Sequence, residues 1–261
     1  MKLTYPTTEP LFPSVPASVK PGTLVRRKGF RPRRSPAGKA TNELVFSAYQ
    51  GMNAEIFPHV LSLYAEPGAK IADITYGKGV FWKNVRADQY ELLKSDIKQG
   101  IDCRALPYGD STLDCVVFDP PYMHTPGGTA HEGHQNYESY YKNNGTGNGT
   151  GKKYHEAVLD LYFLGASEAW RVLKPGGVLI VKCQDEVCAC KQRLTHVEII
   201  NHLTEAMFTV EDLFVLLRTN RPGVSRVLRQ RHARKNHSYF LVFRKSVKLS
   251  RQPQKSVSPS Q

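Results

Sequence analysis

Apolar residues fall along the chain in short runs, separated by polar and glycine-rich breaks, and their spacing predicts strands alternating with helices. From Phe46 to Ala65 (FSAYQGMNAEIFPHVLSLYA) the apolar positions recur at helical spacing. This predicts a helix broken or kinked at Pro58, where the backbone donor is missing. AKIADITYG (69–77) reads as a short strand ending in a glycine turn, ELLKSDI (91–97) as a second strand and LDCVVF (113–118) as a further one. Residues 123–153 contain NNGTGNGTGKK, too rich in Gly and Asn for a regular element, and are expected as a mobile loop. YHEAVLDLYFLGASEAWRV (154–172) carries helical spacing, KPGG makes a tight turn, and VLIVKC follows as a strand. A helix over 193–207 then leads to two strands, DLFVLLRT and HSYFLVFRK, and no internal repeat is present. The order favours an α/β fold: a doubly wound, mostly parallel sheet with helices on both faces and an antiparallel C-terminal strand pair.

Charge divides the same chain differently. Residues 44–217 hold 15 Lys+Arg and 21 Asp+Glu, a net of −6, while the two flanks hold 21 basic and 2 acidic residues, a net of +19. Two basic runs around an acidic core suit a polyanion-binding surface better than a merely solvated one. Residues 1–42, with VRRKGFRPRRSPAGKA, are expected as an extended, partly disordered basic arm; 43–245 as the folded domain, with a basic loop at 218–236; and 246–261 as a disordered basic tail. The longest apolar runs are far short of a membrane span and no signal-peptide pattern opens the sequence, so no membrane association and a cytoplasmic location are expected. Five cysteines, three of them in or beside predicted strands, read as reduced thiols. Cys188-x-Cys190 with Cys183 and His196 matches no common zinc spacing, so no metal is expected.

Two stretches carry candidate chemistry. Asp73-Ile-Thr-Tyr-Gly77-Lys-Gly79 sits where a first strand turns, and glycine there lets backbone approach a ligand closely. The next strand ends at Ser95-Asp96, at a separation that lets a carboxylate accept hydrogen bonds from both hydroxyls of a ribose. The third glycine of the six-residue dinucleotide pattern is absent, which disfavours a pyrophosphate and leaves a nucleoside cofactor without phosphate. In VVFDPPYMHTPGG (116–128) an apolar strand ends on Asp119, and Pro120 and Pro121 stiffen the turn that follows. The Asp119 carboxylate and the Pro120 carbonyl would point outward as two acceptors, with the Tyr122 ring beside them. That set suits a planar aromatic ring carrying an NH2 group. Hydrogen bonds from both amine protons would draw the nitrogen toward tetrahedral geometry and free its lone pair for an electrophilic methyl held in line.

DPPY following this DxxxGxG strand-turn resembles the amino-methyltransferases that use S-adenosylmethionine, chiefly the small, phage or orphan type DNA adenine-N6 methyltransferases. The resemblance spans about residues 45–245 as a class I methyltransferase (Rossmann-like) domain, and RVLKPGGVLIVKC resembles the helix-turn-strand of that class. It implies S-adenosylmethionine as cofactor, with Asp73, Gly77 and Gly79 along its methionine part and Asp96 on its ribose. Asp102 would lie near its adenine, a role for which Asp110 competes, and Thr75, Tyr76, Ile97 and Cys103 complete the expected cofactor set. The family has Pro and Phe where Ile74-Thr75-Tyr76 stand, Tyr76 preserving the aromatic. Asp119, Pro120, Pro121 and Tyr122 would hold the target amine and stack on its base. Cytosine-N4 enzymes more often carry Ser in place of this Asp and protein-glutamine enzymes more often begin the motif with Asn. Some RNA methyltransferases acting on adenine N6 or guanine N2 share the tetrapeptide. The expected partner is therefore DNA, with RNA as the alternative.

An amine paired inside a duplex cannot reach a sheet edge, so the target base must be flipped out or already unpaired. Three segments are expected to hold the strand: Arg26, Arg27, Arg31, Arg33 and Arg34 on the arm; Lys152 and Lys153 at the end of the long loop; and Arg226, Arg229, Arg231, Arg234 and Lys235 in the basic loop, where no acid occurs. His232 and His237 are read as phosphate contacts or structural hydrogen bonds, because the proposed chemistry needs no strong base.

Overall fold

The computed structural model describes residues 44–123, 141, 151–152, 154–206, 208–219 and 229–246. The chain divides into two units, Met1–Glu43 and Leu44–Gln261, and the architecture below belongs to the second. Its elements in chain order are β1 (Ala48–Gln50), α1 (Asn53–Tyr64), β2 (Lys70–Asp73), β3 (Glu91–Lys94), β4 (Leu113–Phe118), α2 (Tyr154–Val172), β5 (Leu173–Cys183), β6 (Glu186–Cys188), β7 (Lys191–Arg193), α3 (Thr195–Ala206), β8 (Phe208–Leu217) and β9 (His237–Lys245). Seven strands form one sheet in the order β1-β8-β9-β5-β4-β2-β3, and β6 pairs with β7 in a separate small hairpin. β9 runs antiparallel to both β5 and β8, and every other pairing in the large sheet is parallel. The expected fold class is the one found.

Alternation along the central strands builds a core on each face. Val116 and Phe118 of β4, with Leu179 and Val181 of β5, meet Val158, Leu161 and Tyr162 of α2 and Ile199 and Leu203 of α3. Cys115, Val117, Val178 and Ile180 face the other way, onto Phe57, Val60 and Leu61 of α1 and onto Phe81 and Trp82. Gly165 of α2 lets the helix close on the sheet, because a Cβ there would lie 2.5 Å from the Phe118 ring.

Several elements differ from the sequence expectation. The segment from Phe46 is not one helix: Ala48–Gln50 pairs as a strand with Val215–Leu217, and α1 begins only at Asn53. Pro58 lies inside α1 without ending it, since Ile56, Phe57, Val60 and Leu61 are all buried and that packing outweighs one lost backbone bond. KPGG does not separate helix from strand. β5 starts at Leu173, directly after α2, and Lys174–Gly177 form an irregularity between the pairs Leu113↔Leu173 and Cys115↔Val178. Among the described residues, the connections β2–β3 and β3–β4 carry only single 3-10 turns, Val80–Asn84 and Ile97–Gln99, instead of crossover α-helices. The β6–β7 hairpin has no counterpart in the sequence expectation.

Candidate active site

Six of the seven strands point the same way, so the C-terminal ends of β2, β3, β4 and β5 share one edge of the sheet with the start of β9. Asp73, Asp96 and Asp119, each at or just past the end of its strand, therefore stand at this one edge. A pocket of about 200 Å³ opens there, lined by Asn53, Asp73, Thr75, Tyr76, Val80 and Asp119 among others.

The turn after β2 is held by its own hydrogen bonds. Asp73, 3% exposed, accepts from the Thr75 backbone N–H through Oδ1 (3.1 Å) and from Trp82 Nε1 through Oδ2 (2.7 Å). Burial pushes its carboxyl up to about 7, against those two donors and with help from the charges of Asp119 and Asp96. Gly79 has φ 64°, and a Cβ on it would lie 2.6 Å from the Tyr76 ring, so only glycine fits beneath that aromatic. Lys94 places its ammonium 5.0 Å from the centroid of the Tyr76 ring. Asp96 accepts the Gly77 N–H at Oδ2 (2.8 Å) and the Lys98 N–H at Oδ1 (2.9 Å). One further lone pair on each oxygen remains for a ligand hydroxyl.

The turn after β4 is joined to the turn after β2. The Asp119 backbone N–H donates to Thr75 Oγ1 at 2.6 Å. Tyr122 folds back so that its hydroxyl donates to Asp119 Oδ1. Besides the ring face expected of it, the tyrosine thus engages one acceptor atom of Asp119, Oδ1, which leaves Oδ2 as the second carboxylate oxygen. Burial raises the Asp119 carboxyl to about 6, while the Tyr122 hydroxyl and the charges of Lys182 and Arg218 pull the other way.

The remaining expected residues fall unevenly. Ile97 opens the 3-10 turn behind Asp96. Asp102 is clamped by Arg104, whose side chain is 5% exposed and whose Nη2 lies 2.7 Å from Asp102 Oδ2. The Cys103 thiol points into the core, where burial raises its pKa, so its side chain gives nothing to the crevice. Arg171 holds the competitor Asp110 at 2.7 Å, at the far end of α2. Lys152 is paired with Asp160 at 2.7 Å. Arg229, Arg231 and Arg234 are exposed, in the loop that leaves β8 and enters β9 at the crevice edge. Together with Val187 and Cys190 of the β6–β7 hairpin they line a groove of about 450 Å³. Lys235 is half-buried and its carbonyl accepts from Gln184. His232 and His237 hydrogen-bond within the protein, to the Cys190 carbonyl (3.0 Å) and the Tyr239 hydroxyl (2.9 Å). Arg26, Arg27, Arg31, Arg33, Arg34, Lys153 and Arg226, with most of the long loop 123–153, lie outside the described residues.

Sequence reasoning missed Trp82, whose indole anchors Asp73, and Lys182, which β5 brings level with Asp119. The second had a signal: Lys182 is the one charge in VLIVKC, a run otherwise fit for the core.

No family model and no curated protein matches the chain. Solved structures with a similar fold include TrmN from Thermus thermophilus, at 15% identity and a TM-score of 0.44, covering 74% of this chain and 48% of that one. The [4+2]-cyclase SpnF matches at 13% identity and a TM-score of 0.44, over 74% of this chain and 81% of its own. A second Thermus thermophilus protein, described as a candidate DNA modification methylase and solved with S-adenosyl-L-methionine, matches at 18% and 0.35, over 59% of this chain and 55% of its own. The chain thus spans about half the length of two of these three. These likenesses stop short of a family.

Proposed function

We propose that the protein is an S-adenosylmethionine-dependent methyltransferase acting on the exocyclic N6 amine of adenine in DNA, with the target base flipped out or unpaired. The observation that carries this reading is the junction of the two turns: the Asp119–Pro120 acceptor pair follows β4 beside the glycine turn of β2, joined to it through Thr75.

The chemistry of the crevice fits the cofactor. Three carboxylates around a glycine turn repel phosphate and favour a cationic group, and the turn after Gly79 opens only a short 3-10 helix rather than a phosphate-binding helix N-terminus. Gly77 and Gly79 would lie along the methionine part and Asp96 would hold the ribose hydroxyls. When bound, the cofactor supplies an electrophilic methyl group. Asp119 Oδ2 and the Pro120 carbonyl would accept the two amine protons, drawing the nitrogen out of conjugation with its ring. As the nitrogen gains its new bond to carbon, one proton leaves toward the Asp119 carboxylate. Tyr122 would stack on the base while its hydroxyl steadies Oδ1. Arg229, Arg231 and Arg234, at the same edge, would take backbone phosphates.

The test is methyl transfer from labelled S-adenosylmethionine to DNA and RNA in parallel, with the product digested to nucleosides. N6-methyladenine from DNA alone is the expected result. Label in RNA alone would replace the substrate, and label in neither would remove the enzymatic reading. Asp119→Ala should lower transfer about 10²-fold or more. Its cofactor affinity by calorimetry should stay close to that of the wild type.

A further inference from the structure

Lys182 lies near the end of β5 and is 1% exposed. A lysine is almost never buried so deeply without a carboxylate in contact. Among the described residues, Lys182 has none. Its ammonium donates to Ser238 Oγ, on β9, and stands 4.4 Å from the centroid of the Phe240 ring. The pairing Phe118↔Val181 brings Asp119 and Lys182, one residue further along each strand, to the same level. The alternation that sends Val117 and Ile180 toward α1 sends Asp119 and Lys182 to that same face.

We propose that Lys182, fixed by Ser238 and Phe240, is a positioning residue whose buried ammonium keeps the Asp119 carboxylate in the ionised form that accepts the target amine. The inference rests on the reading of Asp119 given above and extends it to a residue outside the DPPY motif. The groups acting on Asp119 come from every neighbouring element: Tyr122 on its own turn, Asp73 of β2, Lys182 and Cys183 of β5, Arg218 after β8 and Tyr162 of α2. Of these, Lys182 and Arg218 bring positive charge, and only Lys182 is buried. The Asp73 carboxyl feels the negative charge of both Asp119 and Asp96. The two pKa directions agree with this arrangement. Burial pulls the Lys182 ammonium down to about 8, Asp119 opposing that fall, while Asp119 itself titrates at about 6. The two opposite charges therefore coexist chiefly between those two values.

The experiment follows Asp119 directly. Protein carrying ¹³C-labelled aspartate side chains is titrated by NMR, with Asp119 assigned through Asp119→Asn, and the pH profile of kcat/KM is recorded alongside. In Lys182→Met, which keeps length and removes charge, the Asp119 midpoint and the acidic limb of the profile should both rise by about one pH unit. At pH 6.5 that shift corresponds to roughly a threefold loss of kcat/KM. If Lys182→Met does not fold, Lys182→Gln serves instead: it removes the charge, keeps a donor for Ser238, and should raise the Asp119 midpoint in the same direction. An unmoved Asp119 midpoint in whichever of the two variants folds overturns the role of Lys182. A wild type that binds cofactor but methylates no nucleic acid overturns the functional reading instead, and the NMR midpoints still report whether Lys182 governs Asp119.

Discussion

At the scale of single residues, the crevice is built from groups whose ordinary preferences are overridden by their surroundings. Asp73 is a carboxyl sunk among apolar side chains, and the indole N–H of Trp82 and the amide of Thr75 offset part of that cost. Gly79 is required twice over, by its positive φ and by the Tyr76 ring packed where a Cβ would be. Gly79→Ala should therefore destabilise the fold by about 1–3 kcal/mol. It should also displace Tyr76, so that cofactor affinity falls together with the midpoint of urea unfolding. Loss of stability at unchanged cofactor affinity would mean that the Tyr76 ring takes no part in the site.

At the scale of elements, the basic loop between β8 and β9 is where charge and position coincide. Because β8 ends and β9 begins at the crevice edge, Arg229, Arg231 and Arg234 stand on the side of the molecule where Asp119 lies. Replacing all three by Gln should weaken DNA binding and reduce the slope of log affinity against log salt by about 2–3, the contribution of three phosphate contacts. An unchanged slope, measured by fluorescence anisotropy, would remove the loop from the interface. Elements were legible in the sequence where period and length agreed. The 154–172 helix and the central strands follow directly from apolar spacing, and the edge that gathers Asp73, Asp96 and Asp119 follows from strand order. What was not legible depends on contacts distant along the chain. Ala48–Gln50 is a strand because it finds Val215–Leu217, more than 160 residues away, and nothing local in SAYQG announces that partner. The hydroxyl of Tyr122 on Asp119 and the ammonium of Lys182 below it are matters of rotamer and neighbour, which spacing does not carry.

At the scale of the whole molecule, the buried Asp73 and Lys182 and the half-buried Asp119, gathered at one edge, make stability depend on pH. Asp73 and Asp119 titrate in the folded protein at about 7 and about 6, above the ordinary aspartate value of 3.8. The folded state thus binds more protons than the unfolded one as pH rises from about 4 to 7, and their contribution falls across that range. Lys182 titrates at about 8 in the folded protein against 10.5, so the unfolded state holds the extra proton between those values and stability rises there. The contribution of the three groups should leave a minimum in Tm between about pH 7 and 8, seen by scanning calorimetry from pH 4 to 10. Lys182→Met should flatten its alkaline side, and a wild-type Tm that is level across the range would contradict the burial of these charges. The hydrogen bond from the Asp119 amide to Thr75 Oγ1 has a different kind of consequence. It makes the two turns a single mechanical unit, so a ligand that shifts one turn changes the free energy with which the other receives its own. Thermodynamic reciprocity then requires that each ligand alter the other's affinity by the same factor. Occupancy on one side of the crevice would thus be sensed on the other, through one hydroxyl oxygen.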